Sequence, residues 1–233
     1  MTTDPPALKD VLAGLRSTPV TGGLTAALEN VCEAAVGVFG VSGAGMMMID
    51  DNQDLRPVAA SDGPGHILEQ TQADAGQGPC VDTVIFDDVV TTEDVTTDER
   101  WPRVGPVLRE TSVRAVLGIP ARTAGGAIGA FNVYRSQPHV WDASEINAFE
   151  SFNGVVEALI GSAVLADARE SVVQQLQYAL DNRVTIERAV GVIMGREGAD
   201  PVTAFNILRT QARAERRKVS ELAEEILARF TRG

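Results

Sequence analysis

The sequence predicts an α+β protein: an antiparallel sheet with helices, then a long helix, then a C-terminal bundle of three helices. Three observations predict it. Two pairs of apolar segments flank turn residues, "AGMMMIDD" with "LRPVAAS" across "DDNQD", and "VRAVLGIPAR" with "AIGAFNVYRS" across "TAGG". Strands joined by hairpins rather than helix crossovers imply an antiparallel sheet, here with helices packed on one face. No Pro interrupts the chain from Trp141 to Met194, and the last fifty residues differ in charge from everything before them.

The elements follow in order. "GLTAALENVCEAAVGVF" places Leu24, Ala27, Leu28, Val31, Cys32 and Ala35 on one face at helical spacing, an amphipathic helix ahead of the first hairpin. The uncharged run from Ala34 to Ile49 contains four glycines and falls short of the roughly 20 apolar residues that span a bilayer, so it reads as helix end, turn and buried strand. After the second hairpin, Asp142 or Ser144 can cap a helix carrying Ile146, Phe149, Val156, Leu159 and Ala163. Val173, Leu176 and Leu180 resume that seam. The first half, to about Ala166, is expected to fold back on its own sheet. The stretch from Ala168 to Asn182, with Arg169, Glu170, Gln174, Gln175 and Gln177 outward, is expected to pair as a coiled coil in a parallel homodimer.

"EGADP" then stops and restarts the helix: Gly198 suits a helix C-terminus, Asp200 an N-cap and Pro201 the first helical position. The next helix sets Ala204, Ile207, Leu208 and Gln211 on adjacent turns. Ser220 caps the last, which buries Leu222, Ala223, Ile226 and Leu227. Phe205 and Phe230 are expected in its core.

Charge divides the same way. The net charge is −12, yet from Arg183 to Gly233 ten Arg or Lys face seven Asp or Glu. An excess of positive charge within an acidic chain points to a polyanion, a membrane surface or an acidic partner, with a solvated helical face as the plain alternative. The start, "MTTDPPALKD", has no basic n-region before an apolar core, and the only two cysteines, Cys32 and Cys80, form no CxxC or Cys/His cluster. A cytoplasmic location without membrane contact is expected.

"GQGPC", "DERWP", "SVRAVLGIPA" and "GAIGAFNVY", read in order over Thr21 to Leu165, resemble a GAF domain, the small-molecule sensing fold of bacterial signalling proteins. The resemblance implies a ligand pocket near Cys80, Val81 and Trp101. "IERAVGVIM", "ADPVTAFNILR" and "RRKVSELAEEI", over Ala168 to Arg229, resemble the ANTAR domain, a three-helix RNA-binding module of transcription antiterminators. That resemblance implies binding of RNA stem-loops in a nascent mRNA leader, presented twice by a dimer. Expected contacts are Arg183, Arg188, Ala189, Gly191, Arg209, Arg213, Arg216, Arg217 and Lys218, the last five forming the main exposed surface. The family often places Lys between the Ala and Gly of the first helix; here that residue is Val190. The chain thus divides into an N-terminal segment 1–20, a sensor 21–165, a helical linker 166–182 and an RNA-binding domain 168–229, the last two overlapping.

No catalytic, metal or cofactor site is expected. His66 in "GPGHIL" and His139 in "PHVWD" stand in loop-like contexts without a second ligand at metal spacing. Cys80, if the "GQGP" turn opens a helix, would lie where a helix dipole favours a thiolate, but a lone Cys more often serves as a small buried hydrophobe. Two alternatives stay open: a DNA-binding regulator with the same sensor, and a redox sensor or enzyme using Cys80 or Cys32.

Overall fold

Helix α1 (Gly23–Phe39) buries Leu24, Leu28, Val31, Cys32 and Ala35, the face that helical spacing selects, and leaves Glu29 and Glu33 in solvent. It opens the computed structural model, which describes residues 23–50, 52–123, 126–166 and 171–230. The predicted segment 1–20 and the linker residues Ala168, Arg169 and Glu170 lie outside the described residues, as do the side chains of Val173, Gln175, Leu176 and Gln177.

Both expected hairpins form. Strands β1 (Gly43–Ile49) and β2 (Leu55–Ala60) pair around the acidic turn, and β4 (Ala115–Thr123) pairs with β5 (Gly126–Arg135). A three-residue strand, β3 (Val90–Thr92), completes an all-antiparallel sheet in the order β2-β1-β5-β4-β3. Helices cover both faces of this sheet rather than the one expected. Alternation along β5 sends Phe131 toward Phe152 of α5 (Ala143–Ala166), ring centroids 5.8 Å apart, while Asn132 points the other way and donates to Glu69.

Two short helices form that second layer. Asp62 caps α2 (Gly63–Ala75) by accepting from the Gly65 amide, with Pro64 in the first turn, so His66 sits on a helix and not in a loop. Helix α3 (Pro79–Phe86) starts at the Gly-Pro step of "GQGPC". Beyond β3, the one-turn α4 (Gly105–Leu108) and the loop before it enclose a satellite core of Trp101, Val104, Leu108, Val113 and Tyr134.

The C-terminal bundle comprises α6 (Ser171–Glu197), α7 (Pro201–Glu215) and α8 (Val219–Phe230). Gly198 takes a left-handed φ of 63°, and Asp200 accepts from the Thr203 amide at 3.0 Å with Pro201 behind it, as the sequence predicts. Its core is Ile186, Ala189, Ile193, Ala204, Leu208, Ala212, Val219, Leu222 and Ala223, with Ile226 and Leu227 partly buried at its edge. Two expectations fail: Phe230, three residues past Leu227, is 64% exposed, and Ser220 lies inside α8, its hydroxyl bonded to Tyr178 at 2.8 Å. Along α7 the inner stripe runs through Ala204, Leu208 and Ala212, with Ile207 and Gln211 exposed.

Candidate nucleic-acid interface

The end of α7 carries the basic island. Arg213 and Arg216 are exposed, while Arg217 and Lys218 are half-buried. Arg216 ends the helix in the left-handed region, φ 53° and ψ 42°, where glycine would sit without strain. An Arg there costs about 1–2 kcal/mol. The turn it makes carries the chain from α7 into α8 with the guanidinium outside. Arg217 is held by a carboxylate cluster, at 2.6 Å from Glu225 and 3.1 Å from Glu215. Lys218 lies 4.4 Å from the centre of the Tyr178 ring.

Arg209 departs from expectation. The sequence predicts an exposed side chain here, yet it is only 6% exposed, because the sensor domain covers it. Its Nε stands 3.3 Å from Asp54 Oδ1, and Arg213, one turn on, reaches Asp54 Oδ2 at 2.7 Å. Burial pulls the Arg209 guanidinium below its ordinary range, and the Asp54 charge opposes that shift. Asp54 closes the β1–β2 turn. Asp50 shapes that turn, its Oδ1 accepting from the amides of Asn52 at 2.8 Å and Asp54 at 2.9 Å, while Arg56 bridges both carboxylates. Asn206 adds a 3.4 Å bond to the Gly76 carbonyl, and a Cβ at Gly76 would come within 2.5 Å of Arg209 Nη2. The first glycine of the "GQGPC" region therefore makes room for a side chain of the other domain.

The remaining predicted contacts separate. Arg183 turns inward, paired with Glu187 at 2.5 Å and donating to the Ala127 carbonyl of β5. Ala189, expected to contact RNA, is instead fully buried in the bundle core, where its small side chain lets the helices pack closely. Arg188 and Gly191 are exposed, with open space at the Gly191 Cβ position. Val190, where the resemblance leads one to expect Lys, faces the sensor domain.

Two recesses lie at this joint. One, of about 330 Å³, is lined by Asn52, Asp54 and the five cations of the island, a basic hollow with one carboxylate on its floor. The other, of about 140 Å³, is apolar and lies between Ile49, Val81, Val84 and Ile85 of the sensor and Val190 and Phe205 of the bundle.

Of the expected pocket residues, only Val81 reaches that second cavity. Cys80 and Trp101 are sealed in separate cores. Cys80 does lie in the first turn of α3, but burial, followed by the nearby Glu69 charge, pushes its thiol well above the ordinary range, and Cys32 is raised by burial as well. Helix position thus fails to produce a reactive thiolate because desolvation outweighs the dipole. Trp101 donates Nε1 to Asp82 at 2.9 Å, so "DERWP" pins the loop before α4 to α3. Above the sheet, where the resemblance places a ligand, the fully buried Glu69 accepts from Asn132 at 2.9 Å and from Gln72 at 3.2 Å. Burial raises its carboxyl to about 8, opposed by the Asn132 bond. His139 is accounted for by Glu145, 2.7 Å from its Nε2.

Family models match both parts of the chain: one described as a GAF domain over residues 22–160, and one described as an ANTAR domain over residues 174–227. No curated protein matches. Similar solved structures include the GAF domain of an Acinetobacter phosphoenolpyruvate-protein phosphotransferase, with 13% identity and a TM-score of 0.56 over 71% of this chain and 96% of that one. The GAF domain of such a phosphotransferase from Coxiella burnetii has 17% identity and a TM-score of 0.55, covering 68% and 92%. The free methionine-R-sulfoxide reductase of Neisseria meningitidis, solved with its substrate, has 16% identity and a TM-score of 0.56, covering 72% and 96%. At these identities the likeness is one of fold.

Proposed function

Because this chain belongs to the GAF domain family and carries an ANTAR domain behind its sensor, we propose that it is an RNA-binding antitermination regulator whose own sensor domain holds the RNA-binding surface closed. An ANTAR domain is an RNA-binding antiterminator domain and a GAF domain is a sensor domain; together they describe a regulatory protein. The observation that carries the finer reading is the pairing of Asp54 with Arg209 and Arg213. A carboxylate presented by the sensor takes up the two innermost cations of the basic island, the place an RNA phosphate would take.

Arg216, Arg217 and Lys218 form the outer part of that surface and meet the stem-loop first. Arg209 becomes available only when the bundle leaves the sensor. Arg guanidinium groups suit a loop, because they stack on unpaired bases as well as pair with phosphates. The protein works as a homodimer through the segment from Ala168 to Leu180, where Val173 and Leu176 continue the apolar seam of the sequence while Leu180, its third residue, packs against the sensor core, and it acts in the cytoplasm. Among the described residues no helix is long and apolar enough to cross a membrane.

Competition between a labelled RNA hairpin and unlabelled duplex DNA of equal phosphate number tests the choice of nucleic acid. The hairpin is expected to survive a tenfold excess of duplex. Displacement at equimolar duplex would favour the DNA-binding alternative.

A further inference from the structure

The apolar cavity at the domain joint has walls from both domains and belongs to neither alone. Val81, Val84 and Ile85 of α3 close one side, with Ile49 at the end of β1; Val190 of α6 and Phe205 of α7 close the other. Its volume, about 140 Å³, is close to that of an engineered cavity of about 150 Å³ that stays dry and binds benzene. The charged groups at its rim cancel: Arg183 is paired with Glu187, and Arg209 with Asp54. An anion or cation entering it would have to be desolvated without gaining a partner, which is costly. A neutral molecule of benzene's size meets no such penalty.

We propose that this cavity is an effector site for a small uncharged apolar molecule, and that its occupant holds the protein in the closed form. The proposal rests on the reading of the bundle as an RNA-binding domain restrained by the sensor. The sign of the effect follows from the walls. Separation of the domains destroys the cavity, so a molecule bound in it favours the closed form and lowers affinity for RNA. Linkage makes this reciprocal: bound RNA must weaken the small molecule by the same factor.

The site is distinct from the buried polar cluster of Glu69, Gln72 and Asn132 above the sheet, none of which lines it. It also gives Val190 a role. A Lys at that position would bring an amino group into the joint, whereas Val supplies apolar wall.

The test uses the full chain and fluorobenzene as the probe, followed by fluorine NMR, with 4-fluorobenzoate as the charged control. Fluorobenzene is expected to bind saturably at one molecule per chain, and the benzoate at least tenfold more weakly. Val190→Phe and Val84→Phe, which fill the cavity from opposite walls, are each expected to weaken fluorobenzene at least tenfold while circular dichroism shows the chain still folded. If either unfolds, Val190→Leu and Val84→Leu replace them, with a smaller loss expected in the same direction. Saturating fluorobenzene is expected to lower hairpin RNA affinity at least threefold. Absence of saturable binding, indifference to the filling variants, or hairpin affinity unchanged at saturation would overturn the proposal. Failure of the underlying reading looks different: fluorobenzene binds as described, and no hairpin RNA binds even after Asp54→Asn.

Discussion

Replacing Asp54 with Asn raises the affinity of the full-length protein for a hairpin RNA by at least about tenfold. Asp54 is 4% exposed and Arg209 6%, so the pair is buried, and removing one partner of a buried pair costs about 3–5 kcal/mol because the other charge is left uncompensated. Here the strain has an outlet. The partners sit on different domains, and separating them returns Arg209 to water without breaking either core. Apparent affinity scales with the fraction of molecules whose binding surface is open, so about 1.4 kcal/mol of lost closure already gives the tenfold gain. Fluorescence anisotropy with a labelled hairpin reads the affinity, and thermal unfolding checks that both cores persist. An unchanged or lower affinity in a folded protein would show that the contact does not restrain RNA binding.

A second large effect separates a structural from a ligand-lining role for "DERWP". Trp101→Ala is expected to lower the stability of the sensor domain by about 3–5 kcal/mol, the usual range for truncating a buried aromatic. The ring is 1% exposed among Val104, Leu108 and Val113, and its Nε1 holds Asp82. Truncation opens a cavity and leaves Asp82 without its donor. Burial already raises that carboxyl, and the Trp101 bond opposes the rise, so removing the bond leaves Asp82 easier to protonate. Denaturant unfolding measures the loss. A loss of about 0.5 kcal/mol or less, the usual range for residues outside a packed core, would instead point to a residue that merely lines a ligand pocket.

The elements legible in the sequence are those whose signals are local. The period of Leu24, Leu28, Val31 and Cys32, the two apolar pairs around turns, and the Gly198, Asp200 and Pro201 punctuation each depend on residues within a few positions. Helix α2 was missed because "GPGHILEQTQADA" is polar with two early glycines, and its start depends on a cap from Asp62; β3 is only three residues long. The candidate site was legible in composition but not in placement. A cluster of Arg marks a polyanion surface, yet nothing near Arg209 announces that Asp54, far earlier in the chain, covers it. The one available hint was the acidity of "DDNQD", opposite in sign to the island. Glu69 gave no hint at all, since a carboxyl on an otherwise polar helix is normally solvated.

If the basic island contacts RNA, the affinity for a hairpin depends on salt through the island's own cations. Measured in the Asp54→Asn background, where the sensor's carboxylate no longer competes, each phosphate contact to a single-stranded loop contributes roughly 0.7 to the slope of log affinity against log salt. Replacing Arg213 and Arg216 together with Ala is expected to weaken the hairpin and flatten that slope by about 1.4, with thermal stability nearly unchanged because both side chains are exposed. Affinity and slope equal to those of the Asp54→Asn parent would mean that the island is a solvated face that makes no contact with RNA.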